Sequence, residues 1–262
     1  MMSSRCGFRT VLVTIALLFC APLGRQALGQ VGSSSAGQTG REFAISYYMG
    51  SARTQASSLT VSQPALGTNI RFDRVRYRGR SFDGPLYYGI RAGMFTGPFP
   101  WLGVEAELVH LKVFTSPDQR VSASGTHLGQ PINRELLLGE IVQRFSISHG
   151  VNLLLFSFVG RYRVKPDSQG RRSRFIVEAR FGAGPAVPHT ESTIDKQPQE
   201  QFELGRAAFQ LGSGAELRLK GGLYALGEYK FTRTRQRGRV FMGEAELLLR
   251  SQHGIVGLSY HF

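Results

Sequence analysis

The last ten residues, HGIVGLSYHF, constrain the fold more than any other stretch of this 262-residue chain. Side chains alternate faces along a strand, so Val256, Leu258, Tyr260 and Phe262 share one side while Gly257, Ser259 and His261 take the other. A face that stays apolar to the terminal residue suits a strand whose outer side meets hydrocarbon, in a sheet closed on itself without a free edge. A strand of a water-soluble sandwich would ordinarily run out into polar residues. No later segment reaches the ~18 consecutive apolar residues of a membrane helix, so any spanning falls to strands.

The other end of the chain agrees. Arg5 and Arg9 precede the apolar run 11–19, and Ala27-Leu28-Gly29 supplies small residues before Gln30, which predicts a cleaved export signal over residues 1–29. Cys20 follows Phe19, where a lipid-attachment signal wants a small residue, so cleavage after Gly29 is expected. Cys6 and Cys20 both lie in that segment, leaving the remainder with no disulfide, thiol nucleophile or thiolate ligand. Residues 30–40, rich in Ser, Gly and Gln, read as a linker, and 41–262 as one barrel domain. Losing three arginines and no acid takes the net charge from +14 to +11. Such basicity usually suggests nucleic acid. An exported chain meets the anionic phosphates of lipopolysaccharide instead, so lipid and no nucleic acid is the expected partner. The arginines alternatively only balance lumen carboxylates and keep loops soluble.

Alternating apolar residues ending on a C-terminal Phe resemble the terminal signature of bacterial outer-membrane β-barrels. That resemblance implies outer-membrane localisation and recognition of Phe262 by the barrel assembly machinery. The same alternation recurs along the chain. Strands are expected at 42–51, 85–96, 101–113, 151–165, 174–184, 203–219, 223–232 and from about 247 to the end. The excursion 52–84 should form its own hairpin beyond the membrane, and the apolar patch 136–142 should pack over the mouth. Connections alternate long and short, as in barrels with short periplasmic turns and long extracellular loops. The predicted fold is therefore all-β: an eight-stranded antiparallel up-and-down transmembrane β-barrel, expected to be monomeric.

An eight-stranded barrel encloses room for side chains and no pore, which disfavours a passive porin. Inward Glu42, Arg91, Glu105, Glu107, Arg161, Glu178, Arg180, Glu216, Arg218, Glu228 and Lys230 should pair with one another, because an unpaired charge away from water costs several kcal/mol. At the outer ends of the strands the pattern gathers His110 and Lys112, His149 with Asn152, His189 and Glu191, and Glu228 and Lys230. Imidazole beside carboxylate binds divalent metals or moves protons near neutral pH. His110 shares the parity of Leu108, so it points inward only past a bulge.

The motifs GRSF (79–82), PLYYGIR (85–91), HLKV (110–113), HGVNLL (149–154), GAG with VPHTE (182–191) and GEYK (227–230) resemble the outer-membrane lipid A oxidase family and its uncharacterised relatives. The resemblance covers about 43–262. It implies an eight-stranded barrel and an oxygen-dependent, divalent-cation-assisted oxidation of the proximal glucosamine of lipid A.

Two classes of function follow. In the first, a lipid A modifying enzyme, His110, His189 and Glu191 hold Mn or Fe, Glu228 and His149 serve as catalytic groups, and Arg71, Arg74, Arg76, Arg78, Arg233, Arg235, Arg237, Lys112 and Lys230 bind substrate phosphates. In the second, a structural or binding barrel, the basic loops dock lipopolysaccharide and no cofactor is required. A weaker third idea casts Ser146 or Ser148 with His149 as a hydrolase.

Overall fold

The computed structural model describes residues 40–84, 86–166 and 172–262; the side chains of Ser148 and His149 also fall outside the description. The expected export signal, all but the last residue of the linker, and the 167–170 part of an expected short turn lie outside the described residues. Fourteen strands follow in order: β1 (Glu42–Thr54), β2 (Ser57–Gln63), β3 (Thr68–Val75), β4 (Tyr77–Arg78), β5 (Tyr88–Phe95), β6 (Leu102–Thr115), β7 (Arg120–His127), β8 (Gln130–Leu137), β9 (Val142–Pro166), β10 (Ser173–Ile194), β11 (Gln197–Phe202), β12 (Ala207–Lys220), β13 (Leu223–Val240) and β14 (Gly243–His261). Eight pair antiparallel as β1-β5-β6-β9-β10-β12-β13-β14, and β14 closes on β1 from Ala44↔His261 to Thr54↔Ser251. These are the eight strands expected from the alternation. Closure leaves the lower sheet no edge, which alternation of apolar and polar positions alone would not guarantee.

The two faces differ as their residues require. Ile45, Ile90, Phe158, Phe181, Leu211 and Val256 stand exposed on the outer wall, a continuous apolar belt of the kind a closed sheet turns to hydrocarbon. Inside, Glu107 accepts bonds from Tyr48 (2.5 Å), Lys230 (2.6 Å) and Arg91 (2.7 Å). Arg180 bonds Glu105 at 3.1 Å and Glu178 at 2.7 Å and also contacts Glu228. Nearer the short turns, His261 lies 2.8 Å from both Glu42 and Glu216, and Arg161 reaches Glu42 at 2.5 Å. Arg218 departs from the expected network: its Nε donates to the Gly221 carbonyl in the adjoining turn at 2.9 Å.

Tyr48 plugs the mid-barrel by lying over a gap its neighbours leave. It pairs across β5 with Gly89 and across β14 with Gly257, and a Cβ on Gly89 would stand 2.0 Å from the Tyr48 ring. Gly89→Ala should therefore destabilise the barrel by about 1–3 kcal/mol through overpacking, read as a lower urea midpoint for conversion of the compact form to the unfolded form in detergent.

Above the belt the chain is more ordered than a set of loops. Past Thr54, β2 takes over from β1 as the partner of β14 (Leu59↔Leu247), and the sheet runs on through β3, β7 and β8. Its inward face is apolar: Leu59, Val61, Ile70, Phe72, Val121 and Leu247 are buried together with Val113, Ile147 and Ile194 of the opposite wall. Burial pushes the Tyr77 phenol up to about 12, and Ser57 donates to its oxygen at 3.3 Å. The short 3-10 turn Leu138–Glu140 carries buried Leu138 into this core. The expected hairpin within 52–84 and the patch over the mouth are thus parts of one cap.

The expected loops 185–202 and 233–239 are strand instead. β10 runs to Ile194 and returns as β11 through Asp195 and Lys196, both at positive φ (48 and 65). β13 continues to Val240 against β14.

Candidate functional site

The upper rim of the belt is where the outer wall becomes chemically specific. Along β13 the outward positions change from Tyr229 and Phe231 to Arg233, Arg235, Arg237 and Arg239, while the inward Thr232, Thr234 and Gln236 stay buried. The row occupies a strand face because its two-residue spacing matches the strand period. Three members have carboxylate neighbours: Arg235 lies 3.6 Å from Glu246, Arg237 3.3 Å from Glu244, and Arg239 3.5 Å from Glu203. Arg206 is also 3.3 Å from Glu246. Exposed pairs of this kind are worth about 1 kcal/mol or less each.

Arg233 differs. Its cross-strand partner is Arg250 on β14, and both are exposed on the outer face with no ion-pair partner among the described residues. Directly opposed side chains stand ~5 Å apart at Cβ, and like charges in that relation are destabilising. Arg53 is exposed on the next strand, where its cross-strand partner is Gln252. Three cations thus border the belt on adjacent strands.

The other expected phosphate ligands scatter. Arg71, Arg74, Arg76 and Arg78 are exposed on the cap, alternating with buried Phe72, Val75 and Tyr77, and Arg71 is engaged by Asp73 at 2.7 Å. Lys112 is buried and donates to the Asp83 carbonyl at 2.7 Å, pinning the segment before β5 to β6. Lys230 has 0% exposure and is held by Glu107 and Tyr48 inside the barrel. Neither lysine side chain is exposed to meet a surface phosphate, and each amine already donates within the protein. Glu228 is corrected likewise: it sits in the interior with Arg91 (3.1 Å) and Arg180, away from the rim.

The expected metal set separates. The β6–β9 register runs without a shift from Leu102 to Leu111, so His110 keeps the outward parity of Leu108. It stacks on Tyr88 (5.2 Å between ring centroids), and its Nδ1 is 2.9 Å from the Asn152 amide oxygen. Its register neighbours are Asn152 on β9 and then Val187 on β10, which puts its backbone about 10 Å or more from that of His189. His149 is in β9, its side chain outside the described residues, as is that of Ser148. Ser146, the other candidate nucleophile, is buried in the wall.

His189 and Glu191 do meet, with a third group the sequence pattern missed. On the β10–β11 hairpin Glu191 is directly opposite Glu200, and His189 opposite Phe202. His189 Nε2 is 3.0 Å from Glu200 Oε1, and Nδ1 is 4.0 Å from Glu191 Oε1. Phe202 stacks on the imidazole with ring centroids 3.9 Å apart, and Arg144 of β9 contacts Glu191. The three ligand atoms lie within 4.8 Å of one another. In sequence Glu200 falls in an expected loop, and only the hairpin register brings it to His189. As a donor set for a divalent ion this trio fits where His110, His189 and Glu191 does not.

No protein-family model matches the sequence, and no curated protein is significantly similar to it. Among solved structures, the chain is similar to the outer membrane protein OprG of Pseudomonas aeruginosa (11% identity, 86% of this chain and 98% of that one, TM-score 0.39). It is also similar to the outer membrane protease OmpT of Escherichia coli (12%, 85% and 96%, TM-score 0.38) and to Ail of Yersinia pestis in complex with the heparin analogue sucrose octasulfate (10%, 85% and 97%, TM-score 0.33). The closed eight-strand ring stands on its own strand pairing.

Proposed function

We propose that the protein is a plugged outer-membrane barrel, inserted by way of its C-terminal Phe262 strand, whose outer wall binds a phosphorylated glycolipid of the lipopolysaccharide type. The observation that carries this reading is the exposed Arg233–Arg250 pair at the upper edge of the apolar belt. Two arginines on directly paired positions, without a carboxylate partner among the described residues, are stabilised by an anion bound between them, and guanidinium matches phosphate bidentately. The ion-paired interior supports a role in binding over one in passage.

The oxidase reading draws on Glu228 and His110 beside the His189–Glu191 pair. Burial of Glu228 and the outward, separate position of His110 favour binding over that chemistry.

The test is native mass spectrometry of the protein with bis-phosphorylated lipid A. Arg233→Gln with Arg250→Gln should weaken retention about tenfold to a hundredfold, the loss expected if the exposed pair together contributes about 1.5–3 kcal/mol. Arg237→Gln, already matched by Glu244 and Glu246, should change it little. Lipid A stripped of its phosphates should bind wild type and double variant alike. Equal retention of the phosphorylated form by both proteins would contradict the proposal.

A further inference from the structure

The β10–β11 hairpin places two carboxylates directly across from each other, Glu191 and Glu200, on the outward face of the wall above the belt. Like charges in that relation repel, and this hairpin joins them with an imidazole: His189 reaches Glu200 at 3.0 Å and approaches Glu191 at 4.0 Å. Two ligands about 2.1 Å from one tetrahedral ion stand roughly 3.4 Å apart, so ligand atoms within 4.8 Å need only small side-chain adjustments to share an ion. His189 is 2% exposed and flattened against Phe202, which fixes the ring plane. Glu200 is exposed and leaves an approach open to solvent.

We propose that His189, Glu191 and Glu200 form a site for a divalent first-row transition ion, with Zn2+ as a tight-binding representative. One nitrogen and two carboxylates suit Zn2+, Fe2+ or Mn2+, whereas Ca2+ and Mg2+ want oxygen ligands throughout. Three protein ligands leave a coordination position to water or a ligand. Arg144 of β9 already contacts Glu191, so its guanidinium competes with metal for that carboxylate. The site also ties β11 to β10 beyond their ladder, from Glu191↔Glu200 outward to the Asp195–Lys196 turn.

The experiment is calorimetric titration of the tag-free, refolded barrel in detergent with Zn2+, Mn2+ and Ca2+, repeated with Co2+ to read the ligand field by absorption. Wild type should bind one equivalent of Zn2+, bind Mn2+ more weakly in keeping with the general order of divalent affinities, and show no response to Ca2+. Glu200→Gln changes an exposed residue on β11, a strand outside the eight-strand ring. It should weaken Zn2+ at least about tenfold, the lower edge of what loss of even an outer partner costs a metal site. His189→Asn should do the same and shift the Co2+ spectrum. Arg144→Gln should tighten binding, an effect a merely structural arginine would not produce. Zn2+ should also slow amide exchange in β11 of wild type and not of Glu200→Gln. Absence of a stoichiometric Zn2+ event, or one left unchanged by both ligand substitutions in barrels that keep compact gel migration, would overturn the assignment.

Discussion

Replacing Glu107 by alanine is expected to destabilise the folded barrel by about 3–5 kcal/mol, because it strands buried cations. The carboxylate is 1% exposed and receives Tyr48, Lys230 and Arg91. Without it the Lys230 ammonium keeps only the Tyr48 hydroxyl at 2.8 Å, and Arg91 keeps Glu228 and a 3.5 Å contact to Glu105. Urea titration of the compact form in detergent measures the loss. Removing the opposite charge as well, as Glu107→Leu with Lys230→Met, should recover much of it, since an apolar pair of similar volume needs no charge compensation. A single substitution that lowered the unfolding free energy by less than about 0.5 kcal/mol would mean that water reaches this layer and the interior is not plugged.

Phe72→Ala should be of similar size, about 3–5 kcal/mol, yet confined to another part of the molecule. Phe72 is fully buried in the cap among residues of β2, β7 and β14. The eight-strand ring below is closed by its own hydrogen bonds and does not depend on this contact. The variant should retain compact migration while β3 and β7 become sensitive to protease and lose amide protection, the pattern of local rather than global opening. Loss of the compact form together with the cap would show the two to be one cooperative unit.

The ring was legible because alternation was strong where both faces mattered: Ile90 out and Arg91 in, Phe181 out and Arg180 in. Strand number and the pairing of the lumen charges, Arg218 excepted, followed from it. The upper boundaries were not legible. The turn at Asp195-Lys196 carries neither Asn-Gly nor Asp-Gly, the sequences that announce such a reversal, and the hairpin that brings Glu200 to His189 therefore read as loop. The Arg233–Arg239 row looks like a charged loop in sequence because above the apolar belt the outward face of the strand is polar, erasing the contrast that marks the strands along the belt. Glu228 and Lys230 share the inward parity of Thr232 and Thr234, and parity alone assigned them to the barrel. It was their nearness in sequence to the rim that misplaced them. His110 shows the reverse: its outward parity was readable, and no bulge in β6 redirected it.

The proposed glycolipid site depends on where the apolar belt ends relative to the Arg233–Arg250 pair. No cysteine occurs after residue 20, so single spin-labelled cysteines report position cleanly in lipid nanodiscs. Labels at Leu211 and Val256, below the pair, should collide with oxygen and be shielded from a water-soluble nickel chelate. Labels at Leu204, apolar but above the pair, and at Arg237 should do the opposite. A chelate-accessible label at Leu211, or a lipid-shielded one at Leu204, would contradict the placement of the arginine pair at the membrane boundary and with it the proposed site.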